Sequence, residues 1–175
     1  GYSIIEALGD LEALEATQSL VVALSDEDKL NRSYAARVLG DIGTLEIVPH
    51  LIAKLRDGNR LVRSSAARSL GRLRAKEAVS PLMTMLRDGD RWGRGAAFEA
   101  LGKLGVTEAI HSMIAALSDQ DCDIRSSAAQ GLGMFRRAEA VESLITMLGD
   151  RDSDVRQTVA KALGELGARE AVQPL

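Results

Sequence analysis

A single cysteine, Cys122, leaves the chain without any possible intrachain disulfide and permits a reducing compartment. Aromatic residues are 3% of the composition and proline occurs three times, so the interior must be built from small and aliphatic side chains. No charge of one sign dominates: 22 basic residues stand against 25 acidic ones, a net charge of −3. Such a balance gives no bulk attraction to nucleic acid or to an anionic membrane. No apolar run approaches the roughly 20 residues of a membrane span, and no signal peptide is visible. The expectation is a cytoplasmic chain with neither nucleic acid nor membrane as partner.

What the chain does contain is a repeat. The stretch from Val62 to Gly71 returns from Asn31 to Gly40, from Gly93 to Gly102, from Ile124 to Gly133 and from Val155 to Gly164. Its closing Leu-Gly pair falls at 8–9, 39–40, 70–71, 101–102, 132–133 and 163–164, always 31 residues apart with no insertion or deletion. A fixed period of this length is the signature of stacked helical units. Residues 1–175 are therefore expected to form one solenoid domain of about six repeats, the first and last incomplete. Because solenoids need polar capping units, and the sequence opens and closes inside a unit, a fragment of a longer array is expected.

One unit, residues 57–87, shows the local logic. Asn59 can cap a helix by accepting backbone N–H bonds, and its equivalents Asp28, Asp90, Asp121 and Asp152 are carboxylates, suited to a helix N-terminus. Val62, Ala66, Leu70 and Leu73 follow at helical spacing, predicting a helix A over about 60–73. Gly71 lies inside that helix, at a cost of roughly 1 kcal/mol relative to alanine, yet glycine holds the position in all six copies; close approach of a partner backbone is the expected reason. Gly43, Gly105 and Gly167 are placed for left-handed caps, but Arg74 and Arg136 replace glycine there, so those turns should differ or be strained. Helix B is predicted over about 77–87, opened by Glu77 and its equivalents and buried through Val79, Leu82, Met83 and Leu86.

Two columns of opposite charge are complete. Asp26, Asp57, Asp88, Asp119 and Asp150 end helix B, and Arg32, Arg63, Arg94, Arg125 and Arg156 follow six residues later. Such pairs can form an anion site or a structural ladder joining repeats; five copies favour the ladder.

These residues resemble the HEAT-like repeats of the short, phycobilisome-lyase type. The pattern V-R-x-x-A-A-x-A-L-G-x-L-G-x-x-E-A-V-x-P-L-x-x-x-L-x-D is visible from Val62 to Asp88 and from Val155 to Leu175. The resemblance implies an all-α, right-handed α-solenoid with A helices convex and B helices concave, and it implies the Asp/Arg ladder. It does not imply one activity, since such proteins include lyase subunits, scaffolds and enzyme regulators.

No catalytic or metal site is expected. The repeated His-Glu pairs by which the HEAT-like deoxyhypusine hydroxylase holds iron are absent: His50 precedes Leu51 and His111 precedes Ser112. The two histidines lie almost two repeats apart, about 20 Å at 8–10 Å per stacked helix, against roughly 2 Å for a metal–nitrogen bond. Cys122 opens a helix, where thiol pKa values fall, but Asp119, Asp121 and Asp123 surround it and favour the thiol. The expectation is no enzyme, no cofactor and no metal.

Binding surfaces are read from columns. On the outer side of helix B lie Gln18, Pro49, Ser80, His111 and Glu142, then Val22, Ala53, Thr84, Ala115 and Thr146, then Ala23, Lys54, Met85, Ala116 and Met147. Only Lys54 and Glu142 among them are formally charged, far fewer than a solvated helix face carries. The candidate site for a peptide or protein is therefore Ser80, Thr84, Met85, His111, Ala115, Ala116, Glu142, Thr146 and Met147, with tight curvature hiding these side chains as the competing explanation. Charge is also uneven: residues 1–53 carry −6, residues 54–103 carry +7 and residues 104–175 carry −4. Arg60, Arg68, Arg72, Arg74, Lys76, Arg91 and Lys103 cluster on helix A and its turns, which allows an acidic partner or self-association against the acidic ends. Repeat four departs from the others through Trp92, Gly93, Gly95 and Phe98, read as local repacking or as an aromatic contact for a partner. The functional expectation is a protein-interaction scaffold; the alternative is a phycobilin-lyase-like subunit or a regulatory domain of an enzyme.

Overall fold

The computed structural model describes residues 15–88, 90–135 and 137–167, the side chain of Asp88 excepted. Leu8, Gly9, Arg136 and the C-terminal end of the repeat pattern after Gly167 lie outside the described residues. All regular structure among those described is helical. A helical segment over 15–23 (α1) is followed by α2 (Lys29–Ile42), α3 (Val48–Lys54), α4 (Arg60–Arg72), α5 (Val79–Asp88), α6 (Arg91–Leu104), α7 (Ile110–Ala116), α8 (Cys122–Leu132), α9 (Ala138–Met147) and α10 (Ser153–Leu166). Even-numbered helices are the A helices and odd-numbered ones the B helices of an α-solenoid.

Each A helix starts at its expected cap. Asp28, Asn59, Asp90, Asp121 and Asp152 sit in extended backbone and accept the N–H of the residue two positions on. Gly43, Gly105 and Gly167 close α2, α6 and α10 with φ of 86°, 69° and 67°. Arg74, which lacks glycine's freedom, is nevertheless held at φ 52°, a left-handed conformation that costs a branched-free L-residue about 1 kcal/mol or more. Helix B begins later than the sequence predicts. A 3-10 turn (Leu45–Ile47, Lys76–Ala78, Thr107–Ala109) precedes α3, α5 and α7 and takes up the glutamate, and the α-helix proper begins at Val48, Val79 and Ile110.

The A helices stack directly on one another, α2 on α4, α4 on α6, α6 on α8 and α8 on α10. The recurring glycine permits this. A Cβ at Gly71 would lie 2.7 Å from the Ala100 Cα, and one at Gly133 would lie 3.0 Å from the Ala162 Cα. The approaching backbone is that of the next A helix, 29 residues on, at positions held by Ser69, Ala100, Gly131 and Ala162. Buried Leu39, Leu70, Leu101, Leu132 and Leu163 form a continuous apolar spine, completed from the B layer by Leu51, Leu82, Met113 and Leu144. Each repeat thus buries its stripes only against its neighbours.

Candidate functional site

The charged columns join repeats through a fixed pattern. Arg32 donates from Nε and Nη2 to the Asp57 carboxylate at 3.0 and 3.1 Å, and from Nη1 to the Asp26 carbonyl at 2.9 Å. Arg125 repeats this on Asp150 at 2.8 and 2.9 Å and on the Asp119 carbonyl at 2.9 Å. Arg94 reaches Asp119 through Nη1 at 3.2 Å, and its Nε is buried without a partner among the described residues. Arg156 donates to the Asp150 carbonyl. The carboxylate comes from the following repeat, while the residue six positions earlier supplies its carbonyl. The same carboxylates also accept the N–H of the helix cap, as Asp57 does from Asn59. Arg63 bonds the Asp57 carbonyl and pairs with the cap residue Asp90, while the side chain of its column partner Asp88 lies outside the described residues.

Burial acts to raise the Asp57 carboxyl, but the bond from Arg32, the Asn59 N–H and the guanidinium charge outweigh it and hold the group below the ordinary carboxylate range. At Asp150 the bond from Arg125 is the largest influence and the direction is the same. Arg125 is itself 4% exposed and its guanidinium is held more basic by Asp150.

On the helix-B face Ser80, His111, Ala115, Glu142 and Thr146 are exposed, while Thr84, Ala116 and Met147 are half-buried. Thr84 and Thr146 donate to the carbonyls of Ser80 and Glu142 within their own helices, so neither hydroxyl needs a surface partner. Met85 corrects the expectation. It is 6% exposed, because Gly93 stands where Val62 and Ile124 fill the equivalent space, and the Met85 Cγ would be 3.5 Å from a Cβ there. The volume missing at Gly93 is supplied from helix B, so Met85 is mostly buried and presents only a small part of its side chain to the cleft beside it. A cleft of about 850 Å³ opens beside it between α3 and α5, walled by Ile52, Ala53, Pro81 and Thr84 and rimmed by Arg56, Asp57, Arg63 and Asp90.

The basic strip on the A helices is largely neutralised. Arg68 pairs with Glu99 at 2.9 Å, Lys103 with Glu99 at 2.6 Å and Arg72 with Asp41 at 3.2 Å. Arg91 lies on Asp121 at 3.1 Å and on Asp123 at 3.5 Å. Sequence reading missed these bonds, although opposite charges one period apart, as in Asp41/Arg72 and Arg68/Glu99, were the available signal. Asp121, Cys122 and Asp123 bring one ligand atom each within 4.8 Å, but Arg91 already occupies both carboxylates and opposes a cation. His50 and His111 are exposed on α3 and α7. No described helix is long and apolar enough to cross a membrane.

The HEAT-repeat family profile matches residues 48–118 and 110–175, and the profile of the PBS lyase HEAT-like repeat matches residues 32–57. The chain belongs to the HEAT repeat family. Among solved structures it is similar to the complex of CpcE and CpcF of phycocyanin lyase from Nostoc sp., at 25% identity and a TM-score of 0.57, over 89% of this chain and 79% of that one. It is similar in fold to the E. coli protein YibA, at 24% identity and a TM-score of 0.66, over 84% of this chain and 57% of that one. An engineered protein matches at 21% identity and a TM-score of 0.60, over 90% and 89% of the two chains. No curated protein matches the chain in sequence.

Proposed function

We propose that this HEAT repeat protein is a non-enzymatic scaffold, one solenoid over residues 1–175, that holds a peptide or protein segment on its helix-B face. The observation that carries the reading is the cleft between α3 and α5, with small and apolar walls and a rim of both charge signs. This is the chemistry that recognises an apolar side chain flanked by polar backbone. No metal, cofactor, nucleic acid or membrane enters the reading. The test is capture of partners by the wild-type chain and by a double variant, Ala53→Glu with Thr84→Glu. Ala53 is exposed and Thr84 half-buried, so melting should stay near wild type while partner affinity falls by about 1 kcal/mol or more. Unchanged affinity would remove the helix-B face from consideration.

A second reading, a subunit or regulatory domain of a phycobilin-lyase-like enzyme, is supported by the PBS lyase HEAT-like match and the phycocyanin lyase neighbour. Titration with a free tetrapyrrole separates the two: a saturable shift in visible absorbance favours the lyase-like role, and its absence favours the scaffold. Self-association through the basic middle and acidic ends is tested by light scattering across a salt series, which would weaken it.

A further inference from the structure

The second residue of each A helix forms a column: Leu30, Leu61, Trp92, Asp123 and Asp154. The first three are large apolar side chains 58%, 39% and 39% exposed. The same position in α8 carries Asp123 with its side chain 64% exposed, so the fold does not require an apolar group there. The first residue of each A helix changes at the same boundary, from Lys29, Arg60 and Arg91 to Cys122 and Ser153. Asn59, at the centre of the apolar stretch, is the one uncharged cap among five.

Asn59, Arg60, Arg63, Asp90, Arg91 and Trp92 line a second cleft, of about 440 Å³. Asp90, the one carboxylate among its described lining residues, is already engaged, holding Arg63 and the N–H groups of Trp92 and Gly93. Arg60 has no carboxylate partner among the described residues, and its guanidinium lies 5.3 Å from the Trp92 ring centre. That of Arg91 lies 5.2 Å away. An exposed indole beside Arg60, which keeps no carboxylate partner among the described residues, and beside the neutral cap Asn59 is complementary to a carboxylate accompanied by apolar side chains, while Arg91, already held by Asp121 and Asp123, contributes only its stacking on the ring.

We propose that this edge, Leu30, Leu61 and Trp92 together with Lys29 and Arg60, docks an acidic segment of a partner protein in which carboxylates alternate with apolar residues. The three apolar groups recur once per repeat, about 8–10 Å apart, so an elongated segment engages all of them where a small anion meets one. The edge shares none of the walls of the helix-B cleft, although Arg63 and Asp90 border both.

Trp92 is the only tryptophan, so its emission reads this edge directly. The probe is a tryptophan-free synthetic peptide of Glu, Asp, Leu and Phe, compared with its Gln/Asn counterpart. A saturable change in Trp92 emission is expected with the acidic peptide, with binding at least about tenfold weaker for the neutral one. Arg60→Glu and Leu61→Asp should each weaken it by about the same factor. Leu61→Asp copies Asp123 and Asp154 and should keep the wild-type melting temperature. The Ala53→Glu/Thr84→Glu variant should bind the peptide as wild type does. No saturable response, equal response to the neutral peptide, or unaltered binding by both edge variants overturns the proposal. It is equally overturned if only the helix-B variant loses the peptide, or if the wild-type chain dimerises through this edge and Arg60→Glu makes it monomeric.

Discussion

At the scale of single residues the arginine column is graded by burial. Arg125 places Nε and Nη2 on Asp150 and Nη1 on two carbonyls, with both ion-pair partners almost fully enclosed. Arg125→Ala leaves a buried carboxylate without its counter-charge and should cost about 3 kcal/mol. Arg63 and Asp90 are both partly solvated, so Arg63→Ala should cost about 1 kcal/mol. Urea unfolding of the two variants checks the order; equal or negligible losses would mean that the ladder does not hold the repeats. Arg74 gives the opposite sign. Glycine at its φ of 52° is unstrained, and Arg74→Gly should stabilise the chain by about 1 kcal/mol, read as a rise in melting temperature.

At the scale of the element, the glycine column is what lets the A helices stack. Gly71 faces the Ala100 backbone, and Gly71→Ala must push α4 and α6 apart, at a cost of about 1–3 kcal/mol. Gly133 faces the Ala162 backbone in the same way, and Gly133→Ala should cost about as much. Calorimetry on the two variants tests this: unchanged melting at both positions would show that the glycine serves something other than A-helix stacking. The sequence made the need for glycine legible, because a repeated local cost demands a reason. Which helix approaches depends on neighbours 29 residues away.

At the scale of the whole molecule, Asp57, Asp119 and Asp150 of the ladder, with the caps Asp90 and Asp121, each fasten one repeat to the next, so acid acts on the successive joints together. Asp57, Asp90, Asp121 and Asp150 all titrate below the ordinary value of 3.8. A depressed carboxyl contributes fully above its unfolded value and loses that contribution as pH falls through the folded one. Melting should therefore be flat from neutrality to about pH 5 and fall steeply below about pH 4. Arg125→Ala should flatten the fall, since Asp150 then loses the bond that lowers it most. A wild-type melting temperature independent of pH down to 3 would exclude the ladder as the source of stability.

The period, the helices, their caps and the charged columns were determined by the sequence itself, because each rests on spacing along a few turns of chain or on a pattern copied at fixed distance. Asn59 and its four carboxylate equivalents cap where a capping residue must, whatever surrounds them. Tertiary structure alone decided which side chains remain available. Met85 sits on the outward column of helix B by sequence, and Gly93, across the turn, draws it into the core. Arg68, Arg72, Arg91 and Lys103 read as free cations along the chain, and carboxylates of the same or neighbouring repeats neutralise them. Arg60 lies beside Trp92 with no carboxylate partner among the described residues. Burial and pairing are sums over neighbours, and in a solenoid those neighbours arrive from a repeat away, beyond what a local pattern can carry.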